Sequence, residues 1–110
     1  MAPLSDRMQA IFTMAGEGEV LADVGCDHGF LSIALCEQGH FQRAIAMDVR
    51  KGPLQHAAEN IGRAQLTDRI ELRLSDGLQK LSVKEADTII IAGMGGPLMQ
   101  KIGRASCRER

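Results

Sequence analysis

The segment VLADVGCDHGF, residues 20–30, decides the fold class of this chain. Its first half is an apolar run of the length of one buried strand, and its second half is a glycine-containing turn that opens an apolar helix. Proteins of the α/β class place nucleotide ligands at such a junction between a strand and the following helix. We therefore predict an α/β fold with a ligand site after its first strand.

The rest of the chain alternates helical and strand patterns. We predict helices over residues 5–15, 29–38 and 53–64, and strands over residues 19–24, 43–48, 69–74 and 86–92. Each strand is separated from the next by a helix or a comparable crossover length, which favours a mainly parallel sheet with right-handed connections. The pattern stops after four strands and the start of a further helix, so we expect only part of a domain. In such a part, the isoleucine-rich fourth strand would be an exposed edge and therefore an aggregation hazard.

The last nine residues, 102–110, read IGRASCRER and resemble one translated frame of a common sequencing adapter. We interpret them as a non-native tail and exclude them from fold prediction. The natural sequence is then expected to continue past Lys101, and residues 1–101 to be the N-terminal part of a larger domain.

Charge and composition restrict the function classes. The chain has 13 Lys and Arg against 14 Asp and Glu, and the tail alone contributes three arginines and one glutamate, which leaves a net charge of −3 for residues 1–101. This acidic balance either argues against an RNA partner or leaves the basic surface for nucleic acid to a part of the protein outside the segment. Cys26 and Cys36 are interpreted as small buried thiols.

No apolar run has the length of a membrane span and no secretory signal is present, so we expect a cytoplasmic protein.

The turn from Asp23 to Gly29 has the pattern D-x-G-x-D-x-G. A dinucleotide-binding turn begun at Gly25 would need glycine at positions 27 and 30, where the backbone approaches a pyrophosphate, but the chain has Asp27 and Phe30. The pattern is closer to the acidic turn of S-adenosylmethionine enzymes, whose ligand carries an ammonium group and no phosphate. A plain tight turn is the alternative. We predict that Asp23, Gly25, Asp27 and Gly29 bind the cofactor.

Three later strand ends also carry an acid or glycines. Asp48 is suited to a ribose diol, and Asp76 with Gly77 is suited to the adenine amino group and ring. The run GMGG at residues 93–96 leaves little bulk where a sulfonium methyl would meet its acceptor. We assign Gly93 to the cofactor and the next three residues to the substrate: Met94, Gly95 and Gly96. Each of these residues has an alternative interpretation as an ordinary turn residue.

Few side chains in the pattern are candidates for chemistry. Asp27 and His28 are candidates for orienting a substrate or taking up a proton, and no other catalytic group is predicted. His28 has no cysteine or carboxylate at metal spacing, so no metal is predicted. Arg7 is assigned to the cofactor carboxylate, with an ordinary surface role as the alternative. Three further cations lack interleaved aromatic residues and are weak indicators of nucleic acid: Arg43, Arg50 and Lys51.

In these motifs the chain resembles the TrmK family of bacterial tRNA adenine-N1 methyltransferases, which modify an adenine in the D-arm region of tRNA. The resemblance covers about residues 4–99. It is carried by L-S-x-R at residues 4–7, ADVGCDH at 22–28, GPL at 52–54, DGL at 76–78 and IAGMGG at 91–96. Gly29 and Phe30 are a mild departure from the pattern of many relatives.

The resemblance implies a Rossmann-like class I methyltransferase fold, here truncated after the fourth strand, with the C-terminal helical domain missing. It implies S-adenosylmethionine as cofactor and tRNA as partner, bound mostly through the missing part, with no membrane and no metal. The alternatives are a class I methyltransferase for a small molecule or protein, a cofactor-binding fragment without catalysis, and an NAD-dependent reductase. The segment itself is expected to be inactive and poorly soluble.

Overall fold

The computed structural model describes residues 6–82, 84–91 and 98–101, without the side chains of Arg7 and of residues 98–101. In this part of the chain a five-stranded sheet is accompanied by three helices. The elements follow one another as α1 (Asp6–Ala15), β1 (Gly18–Val24), α2 (Phe30–Glu37), β2 (Phe41–Asp48), α3 (Lys51–Arg63), β3 (Ile70–Leu74), β4 (Thr88–Ile91) and β5 (Leu98–Lys101).

The sheet has the strand order β3-β2-β1-β4-β5. β1 pairs in parallel with β2 and with β4, and β2 pairs in parallel with β3. Carboxyl ends of these four strands therefore meet at one edge of the sheet, and the loop after β1 lies where the strand order reverses. Open α/β sheets bind ligands at that point. The predicted Rossmann-like α/β fold is confirmed.

Alternate residues of β1, β2 and β4 enter two apolar clusters on opposite faces of the sheet. On one face, Leu21, Ala44 and Ile90 pack with side chains of all three helices. On the other face, Ala22 and Ile45 pack with further strand residues and with Leu81 and Ala86 of the connection between β3 and β4. The helices therefore support one face of the sheet, and a connecting loop covers the other. Both cysteines outside the predicted tail are buried thiols, as predicted: Cys26 and Cys36.

The region after β4 differs from its prediction. Residues 98–101 form β5, which pairs antiparallel with β4, where the sequence pattern predicts the start of a helix. A parallel return needs a crossover of about a dozen residues or more, whereas a short connection allows only an antiparallel return. The prediction of a helix here, and of β4 as an exposed edge, is therefore wrong.

Candidate functional site

The loop between β1 and α2 has an unusual alternating backbone. Gly25, Asp27 and Gly29 have positive φ angles of 76°, 56° and 78°. Aspartate is one of the few side-chain-bearing residues that adopt this left-handed region readily. Asp27 therefore supplies, at the middle position of the turn, the backbone conformation that a glycine would provide.

Backbone hydrogen bonds fix this loop to the end of β2. The amides of Gly25 and Cys26 both donate to the carbonyl of Met47, at 2.8 and 2.9 Å, and the amide of Gly29 donates to the carbonyl of Cys26 at 2.9 Å. The loop thus closes over the carboxyl ends of two neighbouring strands.

Helix α3 supports the loop from the side. A Cβ atom at Gly29 would lie only 3.2 Å from the Cβ of Ala57. The side-chain amide of Asn60 donates to the carbonyl of His28 at 2.9 Å. Glycine at position 29 therefore allows both the left-handed turn and the close approach of α3.

Asp48, the last residue of β2, is buried and joined to the loop. Its Oδ2 accepts the amide of Asp27 at 3.2 Å. Its Oδ1 accepts the amide and Nε of Arg50 at 3.0 and 3.1 Å, and Arg50 Nη2 lies 3.4 Å from Oδ2. Burial alone would raise the pKa of Asp48, but the hydrogen bonds from Arg50 and from the Asp27 amide outweigh it and lower the pKa. Asp48 is therefore an ionised carboxylate at the base of the loop.

Asp23 lies behind the loop. Its carboxylate accepts the hydroxyl of Ser32 in α2 at 2.7 Å, and the residue is 2 % exposed. Burial raises the pKa of Asp23 to about 6; the Ser32 hydrogen bond opposes this change, and the nearby charge of Asp48 adds to it. The carboxyl group therefore links β1 to α2 from a buried position, and its contact with a cofactor remains a prediction.

Replacing Asp23 with Asn is expected to change how stability depends on pH. The folded-state pKa of about 6 exceeds the ordinary value of 3.8, so between these values the folded state binds more protons and wild-type stability falls as pH rises. Asn keeps an acceptor for Ser32 but never ionises. The variant should exceed wild type in free energy of unfolding by up to about 3 kcal/mol at about pH 8, with a smaller difference at about pH 4. Urea unfolding at both pH values checks this, and a pH-independent difference would contradict it.

The remaining predicted positions are less completely described. Asp76 and Gly77 form an exposed turn after β3. Ser75 anchors that turn, because its amide donates to the carbonyl of Asp48 and its hydroxyl donates to the carbonyl of Gly77, both at 2.9 Å. The turn therefore lies at the same edge of the sheet as Asp48. Arg7 belongs to α1, and its side chain lies outside the described structure, as do four other predicted residues: Gly93, Met94, Gly95 and Gly96.

Comparison with known proteins decides the family. Residues 4–109 match the family model described as "Methyltransferase domain". The chain belongs to this methyltransferase domain family. The tRNA (adenine(22)-N(1))-methyltransferase of Bacillus subtilis is 36% identical over 99 residues, which are 90% of this chain and 42% of that protein. The methyltransferase domain described here thus spans less than half the length of that relative.

Two further relatives are informative. TrmK of M. capricolum, solved in complex with S-adenosyl-homocysteine, has a TM-score of 0.77 and 32% identity, covering 82% of this chain and 41% of that chain. Ribosomal protein L11 methyltransferase of Syntrophomonas wolfei is 38% identical over 72 residues, which are 66% of this chain and 23% of that protein. The resemblance of this methyltransferase domain to the TrmK family is confirmed.

Several residues of the site were not predicted from the sequence. Ser32, His56 and Asn60 contact loop or strand residues that are 9, 28 and 32 positions away. Nothing local in the sequence of the methyltransferase domain signals such contacts. Arg50 has a signal, its position two residues after Asp48, but its charge and spacing alone indicate nucleic acid only weakly.

The described residues also bear on metal and membrane binding. Among them, no group of three or more His, Cys, Asp and Glu side chains is arranged to hold a metal ion. No helix in the described ranges has both the length and the apolar character needed to cross a membrane.

Proposed function

We propose that this chain is the N-terminal part of an S-adenosylmethionine-dependent tRNA adenine-N1 methyltransferase that acts on an adenine of the position 22 type, as its B. subtilis relative is named. One observation carries the proposal: the buried carboxylate of Asp48 accepts the amide of Asp27 at 3.2 Å, which joins a strand-end acid to the acidic loop. Residues 102–110 are proposed to be a non-native tail, and the tRNA contacts to lie mostly beyond residue 101.

The described residues fit S-adenosylmethionine. A carboxylate has about four acceptor positions, and at Asp48 two of them are used by backbone amides. The other two are held by the Arg50 side chain, which is 63% exposed. Turning that side chain into solvent would release two acceptor positions for the two hydroxyls of a ribose.

The charge of the loop favours this cofactor over a dinucleotide. Asp27 stands in the loop, and once the Arg50 side chain turns away, ionised Asp48 beneath it would add a negative charge close to the ligand. Carboxylates attract an ammonium or sulfonium cation and repel a pyrophosphate. An NAD-dependent reductase is therefore the less favoured alternative.

When bound, S-adenosylmethionine supplies an electrophilic methyl group on a sulfonium centre. In the proposed reaction the lone pair of adenine N1 forms the new bond to carbon while the carbon–sulfur bond breaks and sulfur keeps its electron pair. No covalent nucleophile is needed, so the chain acts by alignment and electrostatics.

Asp48 orients the ribose and the loop holds the amino acid end. Asp27 and His28 are proposed to orient the target base, and residues 93–96 to lie beside it.

Titration calorimetry with S-adenosylhomocysteine and with NAD tests the cofactor. We expect the chain to bind the first and to show no heat of binding with the second. Binding of NAD alone would contradict the proposal.

For the reaction, the full-length protein that contains this segment should transfer labelled methyl groups to a tRNA transcript. A transcript with guanine in place of the target adenine is the control, and equal labelling of both transcripts would exclude an adenine-N1 activity.

A second candidate is methylation of a protein, favoured by the similarity to ribosomal protein L11 methyltransferases, 38% over 72 residues in one of them. It would use the same cofactor site with a different acceptor. Offering the full-length protein both tRNA and ribosomal protein L11 separates the candidates, because only one of them should become labelled.

With a tRNA substrate, the protein would act in the cytoplasm.

A further inference from the structure

His28 lies in the loop between β1 and α2, residues 25–29, here called the cofactor loop, and contacts His56 of α3. The proposed function gives this contact no role. The Nδ1 atoms of His28 and His56 are 3.3 Å apart. Their rings stack with centroids 5.1 Å apart and 24° between the planes. An imidazole nitrogen donates a hydrogen bond when it carries a proton and accepts one when it does not. The contact is therefore a hydrogen bond only when one of the two facing nitrogens carries a proton.

The contact belongs to a larger attachment of the loop to α3. The amide of Asn60 holds the carbonyl of His28, and Ala57 packs where Gly29 lacks a side chain. His56 is adjacent to Ala57 and one helical turn before Asn60, so these three residues face the loop together. Of the three, only His56 can change its charge.

The charges around the pair determine what added protons do. Asp27 Oδ1 lies 3.8 Å from His28 Nε2, so a carboxyl group stands next to the pair of rings. The Phe30 ring also stacks with His28, with ring centroids 5.5 Å apart, and carries no charge. Asp48 and Arg50, at the end of β2, are paired with each other, and α3 carries three further charged residues: Lys51, Glu59 and Arg63. When the His28–His56 pair takes up one extra proton, the contact between the two Nδ1 atoms can still be a hydrogen bond. When the pair takes up a second proton, two cations are in direct contact.

We infer that His56 is a positioning residue that holds His28 and the cofactor loop through a shared proton, and that protonation of both rings releases the loop. The inference rests on the proposed function, since the loop's ligand is the proposed cofactor. An imidazole changes charge between about pH 5 and 8. The chain should therefore bind the cofactor less tightly in mild acid.

Nitrogen-15 NMR of the imidazole rings tests the pairing without any ligand. At about pH 8, His28 and His56 should be opposite tautomers, one with its proton on Nδ1 and the other with its proton on Nε2. Replacing His56 with Phe keeps a stacked ring but removes the nitrogen, so it should change the shifts of His28. Identical tautomers in the wild type would overturn the pairing.

Calorimetry with S-adenosylhomocysteine tests the effect on the loop. Between about pH 8 and 5.5 the wild type should lose about threefold to tenfold more affinity than His56→Phe, the range of one hydrogen bond. His40→Phe is the matched control, because His40 contacts Gly16 and Phe12 and should behave as wild type.

An equal loss in wild type and His56→Phe would overturn the positioning role and assign the pH dependence to another group. Asp23, with its pKa raised to about 6, titrates in the same range and is present in both proteins. Absence of binding at every pH would instead overturn the proposed cofactor, and the NMR result would still decide the pairing.

Discussion

Replacing Asp48 with Ala should weaken binding of S-adenosylhomocysteine by about 1.5 to 3 kcal/mol, or roughly 10- to 150-fold, the range for hydrogen bonds to a charged group. Asp48 is the buried, ionised carboxylate at the end of β2, and its pKa is lowered by the bonds it accepts. The two acceptor positions that Arg50 now holds are the ones proposed for the ribose. Titration calorimetry on the folded variant measures the loss.

Two further variants separate binding from support of the loop. Asp48→Asn keeps an acceptor for the Asp27 amide but removes the charge, so it should retain more stability than Asp48→Ala while still losing affinity. Asp68→Ala removes an exposed carboxylate just before β3, at the amino edge of the sheet, and should bind as wild type. Unchanged affinity in a folded Asp48→Ala protein would remove Asp48 from the site.

Replacing Gly29 with Ala should be strongly destabilising and should also weaken cofactor binding. The φ angle of +78° is costly for alanine, and the new Cβ would lie 3.2 Å from the Cβ of Ala57. The left-handed conformation costs about 1–2 kcal/mol. Overpacking against α3 adds about 1–3 kcal/mol more. Since α3 supports the loop, we expect part of this strain to displace the loop itself.

Gly39 offers a matched control. It has nearly the same φ angle, +77°, but nothing lies within 4 Å of the place where its Cβ would be. Gly39→Ala should therefore lose only about 1–2 kcal/mol, the conformational cost, and leave affinity for S-adenosylhomocysteine unchanged. Denaturant unfolding and calorimetry measure both quantities. Equal stability losses in the two variants would show that packing against Ala57 contributes nothing.

The α/β fold was predictable because its signals are local. Apolar runs at β1, β2 and β4 are separated by helical patterns or long connections, and this alternation is typical of parallel strands. Pro53 at the start of a helical pattern predicted the beginning of α3 to within two residues, since the helix begins at Lys51. β5 was not predictable, because it forms only where the edge of β4 is available to pair with it.

The site was predictable only where its residues follow strands directly. The position of Asp48 at a strand end follows from the apolar run before it, and the positive φ of Asp27 is consistent with the glycine pattern around it. Ser32, His56 and Asn60 contribute through contacts between elements that are distant in sequence. Such contacts depend on how α2 and α3 pack, which no local pattern of one sequence specifies. The cofactor-binding roles themselves remain predictions.

The antiparallel pairing of β5 with β4 has a consequence for how copies of this chain behave in concentrated solution. An unprotected strand rich in isoleucine would recruit the same strand from another molecule. Here the chain occupies that position itself, and at the opposite margin β3 presents an ion pair between Glu71 and Arg73, whose atoms lie 2.7 Å apart. The isoleucine-rich strand is thus an inner strand of the sheet, the outermost strand on that side is the short β5, and the outermost strand on the other side carries charge.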